Sequence, residues 1–264
     1  MKRGALLFAF NTDSVNYFKM AESTAKRIKH FLGINSSIVT DENSVEKSST
    51  VFDKVFYVEP DKSNTKKKKV WINKGRYQAY ELSPYEETLL IDTDYLVNSN
   101  RLNLLFDICQ DYVCPSRISF LMQDVDKELI SPISYETLWA TIILFKKTLK
   151  SKQLFECIKM VQENYTYYAE LYGMYNLMYR NDYALTIAHR IVNGHYDDNA
   201  CHMPWQLLHA DHSVNITKLT DEPFNTEYVV TQEKNINGKI KPYYITVKDT
   251  DFHCMNKENF MKLL

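Results

Sequence analysis

Apolar and polar positions alternate along this chain in blocks that read as strand, helix, strand from the first residues onward. Gly4 to Phe10 is a short apolar run and reads as a first buried strand. Its brevity, and the polar Asn11-Thr12-Asp13 that follows without a small-residue cleavage site, argue against a signal peptide. From Ser14 to Phe31, Val15, Phe18, Met20, Ala21, Ala25, Ile28 and Phe31 recur at helical spacing, and Gly33 supplies a stop. Ser36 to Asp41 reads as a strand ending in an acid, Val51 to Val58 as another strand, and Lys74 to Leu82 as a helix. A further apolar strand covers Leu89 to Val97. This βαβ alternation predicts a mostly parallel sheet covered by helices.

In the second half, Tyr135 to Phe145 reads as a strand and Leu149 to Asn164 as an amphipathic helix. Asp182 stands before a helical pattern, Tyr183 to His189, that is ended by Gly194. Val229–Thr231 and Tyr243–Val247 flank Asn237-Gly238, a hairpin signal. A strand through Asp251-Phe252-His253 and a short terminal helix complete the chain. No repeat, heptad array or long linker interrupts it, so residues 1–264 are expected to form one domain.

The strand Leu89 to Val97 carries the chemistry. Asp92 and Asp94 interrupt an otherwise apolar run, and in a strand residues i and i+2 share a face. Two buried anions on one face are costly unless compensated, and a hard divalent cation is the simplest compensation for carboxylate oxygens. In open parallel sheets ligands sit beyond the carboxyl ends of the strands. Asn11, Asp41 and the Asp92/Asp94 pair all fall at such ends. The competing structural reading has Asp92 capping a turn and Asp94 solvated.

Composition narrows the class. The formal net charge of −1 over 264 residues leaves no global nucleic-acid footprint. The 5 cysteines are unevenly spaced and read as reduced thiols in a cytosol-like compartment, giving a cytoplasmic expectation. No stretch has the length of a membrane span, so no membrane partner is expected. Cys201, His202, His209, Asp211 and His212 crowd possible zinc ligands together, yet their spacing fits no zinc pattern. The one strong charge asymmetry is Lys66-Lys67-Lys68-Lys69, with Lys62 before it and Lys74 and Arg76 after it. Such runs are usually solvated loops, and they also track phosphates without regard to sequence.

The segment Lys74-Gly75-Arg76-Tyr77-Gln78-Ala79-Tyr80-Glu81-Leu82-Ser83-Pro84-Tyr85 leading into Leu89-Leu90-Ile91-Asp92-Thr93-Asp94 resembles the approach to the DxD motif of GT-A glycosyltransferases, in particular the glycogenin-like and lipopolysaccharide-galactosyltransferase-like group. The opening strand with Asn11-Thr12 and the strand ending Thr40-Asp41 resemble that group's nucleotide-binding half. The whole chain is also similar to glycosyltransferase-like proteins of tailed phages. The resemblance implies an α/β, Rossmann-like GT-A fold: residues 1–100 form the nucleotide-sugar half and 101–264 a smaller acceptor-side region. It implies Mn²⁺ or Mg²⁺ on Asp92, Asp94 and His253, with Lys257 four residues on contacting phosphate. It places Asn11, Thr12 and Asp41 at the base and ribose, Lys74 or Arg76 at the phosphates, and Thr93 between the metal acids. Asn181-Asp182 falls where an acid lies by the reacting sugar. The family's Gly between the C-terminal His and Lys is absent here. Leu138-Trp139-Ala140-Thr141 departs from its donor-contacting sequence.

The implied activity is transfer of a sugar from a nucleotide-sugar, a UDP-sugar before others, to a hydroxyl. The basic segment Lys62–Arg76 favours DNA as acceptor, with hydroxymethylated bases offering the hydroxyl and Trp139 or Trp205 aiding access to a base. A saccharide or protein acceptor, or a binding module without turnover, are the alternatives. Asp92-Thr93-Asp94 also resembles the acid pair of haloacid-dehalogenase-like phosphatases. That pair belongs on a first strand with Thr or Val where Leu96 stands here.

Overall fold

The computed structural model describes every residue except 1, 47, 60–64, 67–68, 71, 123–127, 133, 175–177 and 237–238, and no side chain of 65–66, 69–70, 72–74, 234–236 or 239. In chain order, β1 (Arg3–Phe8), α1 (Tyr17–Leu32), β2 (Asn35–Thr40) and β3 (Val55–Tyr57) precede a small hairpin of β4 (Thr65–Lys66) and β5 (Lys69–Val70). A 3₁₀ segment, Ile72–Gln78, runs into α2 (Ala79–Leu82), then β6 (Glu87–Ile91), β7 (Tyr95–Leu96) and α3 (Asn103–Ile108). Next come β8 (Tyr112–Val113), β9 (Ile118–Phe120), β10 (Ile142–Lys146), α4 (Leu149–Glu163), α5 (Tyr165–Leu171) and α6 (Asn181–Val192). The chain ends with β11 (Leu207–Ala210), β12 (Asn215–Lys218), β13 (Glu227–Ile236), β14 (Lys239–Lys248), β15 (Phe252–Cys254) and α7 (Lys257–Lys262).

The central sheet has the order β3-β2-β1-β6-β10-β8. Its β3, β2, β1 and β6 run parallel, and β10 is antiparallel to both β6 and β8. This is the mostly parallel α/β sheet that the alternation predicts. Both faces are covered, which explains the apolar runs at 5–8 in β1 and 89–91 in β6. Leu6, Leu90, Ile143 and Phe145 point to one face and pack with Leu154, Phe155 and Ile158 of α4 and Leu185 and Ile187 of α6. Ala5, Leu7, Leu89, Ile91 and Leu144 point to the other, against Phe18, Ala21 and Ile28 of α1 and Leu105 and Phe106 of α3.

Two smaller sheets flank the centre. One has the order β7-β15-β11-β9, and the other, β12-β13-β14, is built on a long antiparallel hairpin. Asn237-Gly238, read as the turn of that hairpin, lies outside the described residues; Ile236 and Lys239 on either side are in register. No helix among the described residues is long and apolar enough to cross a membrane.

Local chemistry accounts for the element ends. Asn16 caps α1 by accepting from the Lys19 amide at 2.8 Å, and Gly33, at φ 73°, takes the left-handed conformation that closes it. The strand expected over Val51–Val58 shrinks to β3. The helix expected over Lys74–Leu82 begins as a 3₁₀ segment and is α-helical only from Ala79. The strand expected from Tyr135 forms only at Ile142. Residues 137–139 instead spend their amides on Glu128, Thr186 and Pro115, so no ladder is available to them.

Gly4 faces a close approach, because a Cβ there would lie 2.4 Å from the ring of Tyr85. Tyr85 is buried and its hydroxyl is held by Ser37 at 2.8 Å, so the ring has little room to retreat. Gly4→Ala is expected to cost about 1–3 kcal/mol of folding free energy. Urea unfolding measures it; an unchanged midpoint would mean that Tyr85 repacks freely.

Candidate active site

The two acids do not sit in one continuous strand. β6 ends at Ile91, and Asp92, Thr93 and Asp94 form a tight turn into β7, closed by the Tyr95 amide donating to the Asp92 carbonyl at 3.2 Å. Shared-face geometry is therefore not what gathers the carboxylates; the turn does it. The sheet with β15 completes the gathering. Tyr95 pairs with His253, and the Cys254 amide donates to the Asp94 carbonyl at 2.9 Å. One oxygen each from Asp92 and Asp94 and one nitrogen of His253 lie within 4.8 Å of one another. The predicted metal set is thus assembled from positions 159 residues apart.

Each carboxylate is also held by a cation. Arg76 pairs with Asp92, and Lys257 pairs with Asp94, whose Oδ2 lies 3.1 Å from His253 Nε2. Arg76 is 6% exposed, yet among the described residues its Nε and Nη2 have no hydrogen-bond partner. Buried guanidinium donors left over in this way are expensive unless an anion meets them. Burial lowers Lys257 to about 8, against the pull of Asp92. Burial also lowers His253, which Asp92 and Asp182 oppose. The Nδ1 of His253 meets the Nδ1 of His209 at 2.9 Å, and burial drives His209 down to about 2. His209 is therefore a neutral partner. Its register opposite His253 on β11 carries no local sequence signal.

Asp182 belongs to the first turn of α6 rather than capping it; Arg180 holds the cap position. Asp182 Oδ1 accepts from the Ala140 amide at 2.9 Å, and Oδ2 accepts from Arg180 Nη2 at 3.0 Å. The next carbonyl, Thr141, accepts from the Asp92 amide at 3.0 Å, so residues 140–141 tie α6 to the acid turn. Against the cost of burial, Asp182 and Glu128 hold Arg180 above its ordinary value. Sequence reading missed Arg180, although it immediately precedes Asn181-Asp182. The Asn181 amide oxygen accepts from the Tyr179 hydroxyl at 3.0 Å.

Asn11 and Asp41 form a second group. The Asn11 amide donates to Ser44 Oγ at 2.7 Å, its side chain accepts from the Phe18 amide at 2.9 Å, and Asp41 accepts from the Ser44 amide at 2.7 Å. These bonds shape the mouth between β1 and β2. Thr12 beside them is exposed and accepts from the Val15 amide at 3.2 Å. Thr93 is buried, and its carbonyl accepts from Thr24 at 2.7 Å. The side chains of Lys74 and of Lys62–Lys69 lie outside the described residues.

The expectation for Trp139 is corrected, and Trp205 and the crowded histidines take other places. Trp139 is 7% exposed and lies tilted against His209, ring centroids 5.0 Å apart, so burial denies it a role in reaching a base. Trp205 is capped by Arg101 at 4.4 Å. The crowded cluster of possible zinc ligands disperses: His209 joins His253, while His202 turns to Asp197 at 2.9 Å.

Solved structures with a similar course of chain include galactosyltransferase LgtC in complex with donor and acceptor sugar analogs, at 15% identity and TM-score 0.47 over 70% of this chain and 69% of that one. Mouse xyloside xylosyltransferase 1 in its apo form matches at 10% identity and TM-score 0.48 over 74% of this chain and 83% of that one. The glycosyltransferase GlyE of Streptococcus pneumoniae TIGR4 matches at 10% identity and TM-score 0.45, over 77% of this chain but 46% of that one. No family model and no curated protein matches the chain. All three neighbours are glycosyltransferases by name. At such low identity and overlap, their activities come to this chain only as a proposal.

Arg76→Gln is expected to weaken binding of a nucleoside diphosphate by about 10–100-fold, the loss of charge-assisted contacts from a planar donor fork. Isothermal titration checks this; an unchanged Kd would leave Arg76 a purely structural partner of Asp92.

Proposed function

We propose that this protein is a metal-dependent glycosyltransferase, moving a sugar from a nucleotide-sugar, UDP-linked in the first instance, to a hydroxyl acceptor. The observation that carries this reading is the convergence of Asp92, Asp94 and His253 beside a buried Arg76 with unpartnered donors. Two carboxylates and one imidazole suit Mn²⁺ or Mg²⁺ when diphosphate oxygens complete the shell. Such an ion supplies Lewis-acid stabilisation of the charge that develops on the departing diphosphate.

The chain's own residues do the rest. Arg76 and Lys257, now on the two carboxylates, are placed to turn their donors to phosphate oxygens. His253 offers a bare Nε2 for ligation when its Nδ1–H donates to the neutral His209. Asp182, fixed by the Ala140 amide and Arg180, has a defined orientation from which to accept a hydrogen bond from a sugar hydroxyl, with Asn181 beside it. Asn11, Thr12 and Asp41 line the base and ribose end of the mouth. For the acceptor, the lysine run from Lys62 to Arg76 favours DNA carrying hydroxymethylated bases over a free saccharide or a protein hydroxyl. The cation on each carboxylate favours a second reading, donor binding without turnover.

Asp94→Asn is expected to abolish the Mn²⁺-dependent part of UDP-sugar binding and to lower kcat/KM by about 10²–10³-fold, with circular dichroism unchanged. Metal-dependent affinity that survives the substitution sinks the metal role. Incubating UDP-sugars with hydroxymethylated DNA, saccharides and peptides, followed by mass spectrometry, separates the acceptors. A gain of one pentose or hexose on a nucleoside supports DNA. Tight donor binding with no product on any acceptor favours the binding module.

A further inference from the structure

A second cluster of metal-ligating side chains lies at the far end of α6. His189 is fully buried near the end of that helix, Asp197 lies in the turn beyond it, and His202 follows the short 3₁₀ turn Asn199–Cys201. The Nε2 atoms of His202 and His189 lie 2.9 and 3.5 Å from the same oxygen, Asp197 Oδ1. Neither nitrogen has a well-aligned hydrogen-bond partner among the described residues, so these approaches are close without being aligned. A buried imidazole N–H with no acceptor is costly, whereas a lone pair directed at a cation is satisfied. Two ligand atoms about 2.0–2.1 Å from a common ion stand about 3.3 Å apart in a tetrahedron, which lies between the two observed separations.

Polar groups surround the other ring nitrogen of His189, including the Asn193 amide at 3.3 Å. His189 Nδ1 meets the Tyr112 hydroxyl at 3.0 Å, and the Asn193 amide donates to that hydroxyl at 2.8 Å. A metal on Nε2 requires the tautomer in which Nδ1–H donates to the Tyr112 oxygen. That leaves Nε2 of His189 bare. Arg190 holds Oδ2 of Asp197 at 2.8 Å and turns Oδ1 toward the imidazoles. An oriented ligand backed by a second layer of hydrogen bonds is the arrangement that metal sites use.

We propose that His189, Asp197 and His202 bind a borderline divalent transition metal, Zn²⁺ above all, which clamps the turn after α6 to the helix. Two imidazoles and one carboxylate suit Zn²⁺ better than the hard cation expected at the Asp92 and Asp94 turn. Asp182 and His189 are seven residues apart, about 10 Å along the helix axis, so the two sites are distinct. The fourth position is left to water, since Asp197 is 38% exposed.

Equilibrium dialysis of the full chain against Zn²⁺ in excess Mg²⁺, with metal counted by mass spectrometry, tests the site. About one equivalent of Zn²⁺ is expected to survive Asp94→Asn and to vanish in His202→Ala. Tyr112→Phe, which removes the acceptor for Nδ1–H but keeps the ring, is expected to weaken Zn²⁺ binding by about 10–100-fold. Asp197→Asn, in an exposed turn, provides the same loss as His202→Ala without touching the core. Zn²⁺ uptake that is absent from the wild type, or that disappears with Asp94→Asn while persisting in His202→Ala and Asp197→Asn, overturns the proposal.

Discussion

The structure depends on keeping an acid-flanked strand in the middle of an apolar sheet. Leu89, Leu90 and Ile91 of β6 are buried between two helical layers, and the strand begins at Glu87 and runs out into Asp92 and Asp94. Anions so placed demand partners. Glu87 receives Arg3 at 2.6 Å and Lys146 at 3.1 Å, both from neighbouring strands. At the other end, Arg76, Lys257 and His253 converge on the two aspartates. The difference lies in what is left over. The Glu87 end is closed by ion pairs, whereas the Asp92 end retains unpartnered donors on Arg76. The proposed diphosphate would meet that surplus.

The site draws on segments spread over most of the chain, and each is delivered by a different device. The turn after β6 brings Asp92 and Asp94, the 3₁₀ segment brings Arg76, α6 brings Asp182, and the flanking sheet brings His253 with Lys257 behind it. Residues 140–141 hold these parts in common: Ala140 binds Asp182 and Thr141 binds Asp92 through backbone groups. Because the contacts use main-chain atoms, this segment gives up strand pairing to serve as a brace. Its departure from the family's donor-contacting sequence, Leu138-Trp139-Ala140-Thr141, affects side chains and leaves the brace intact.

What was legible in the sequence was what period and chemistry announce locally. The buried strands, α1, α4 and the alternation behind the parallel sheet follow from apolar spacing alone, and the acids at 92 and 94 stand out against it. His253 was placed by resemblance, and β15 carries it to Asp94. Three features were hidden. The turn at residues 92–94 looked like strand because Thr93, Tyr95 and Val97 favour extended structure. The loop at 135–141 looked like strand because it is apolar, yet its burial against α6 is tertiary. Arg180 and His209 act through partners that only the folded chain brings near, Asp182 and Glu128 for the first and His253 for the second.

One consequence concerns solubility. β14 is the outer strand of the β12-β13-β14 sheet, and it shows Ile240 and Tyr244 to solvent at 68% and 75% exposure. An unpaired rim with apolar side chains is a template onto which another polypeptide can add. Here Pro242 contributes no amide to that rim, and the exposed Lys241 sets a like charge against an identical strand approaching it. The hairpin can therefore hold oily surface in water while discouraging self-assembly into fibres.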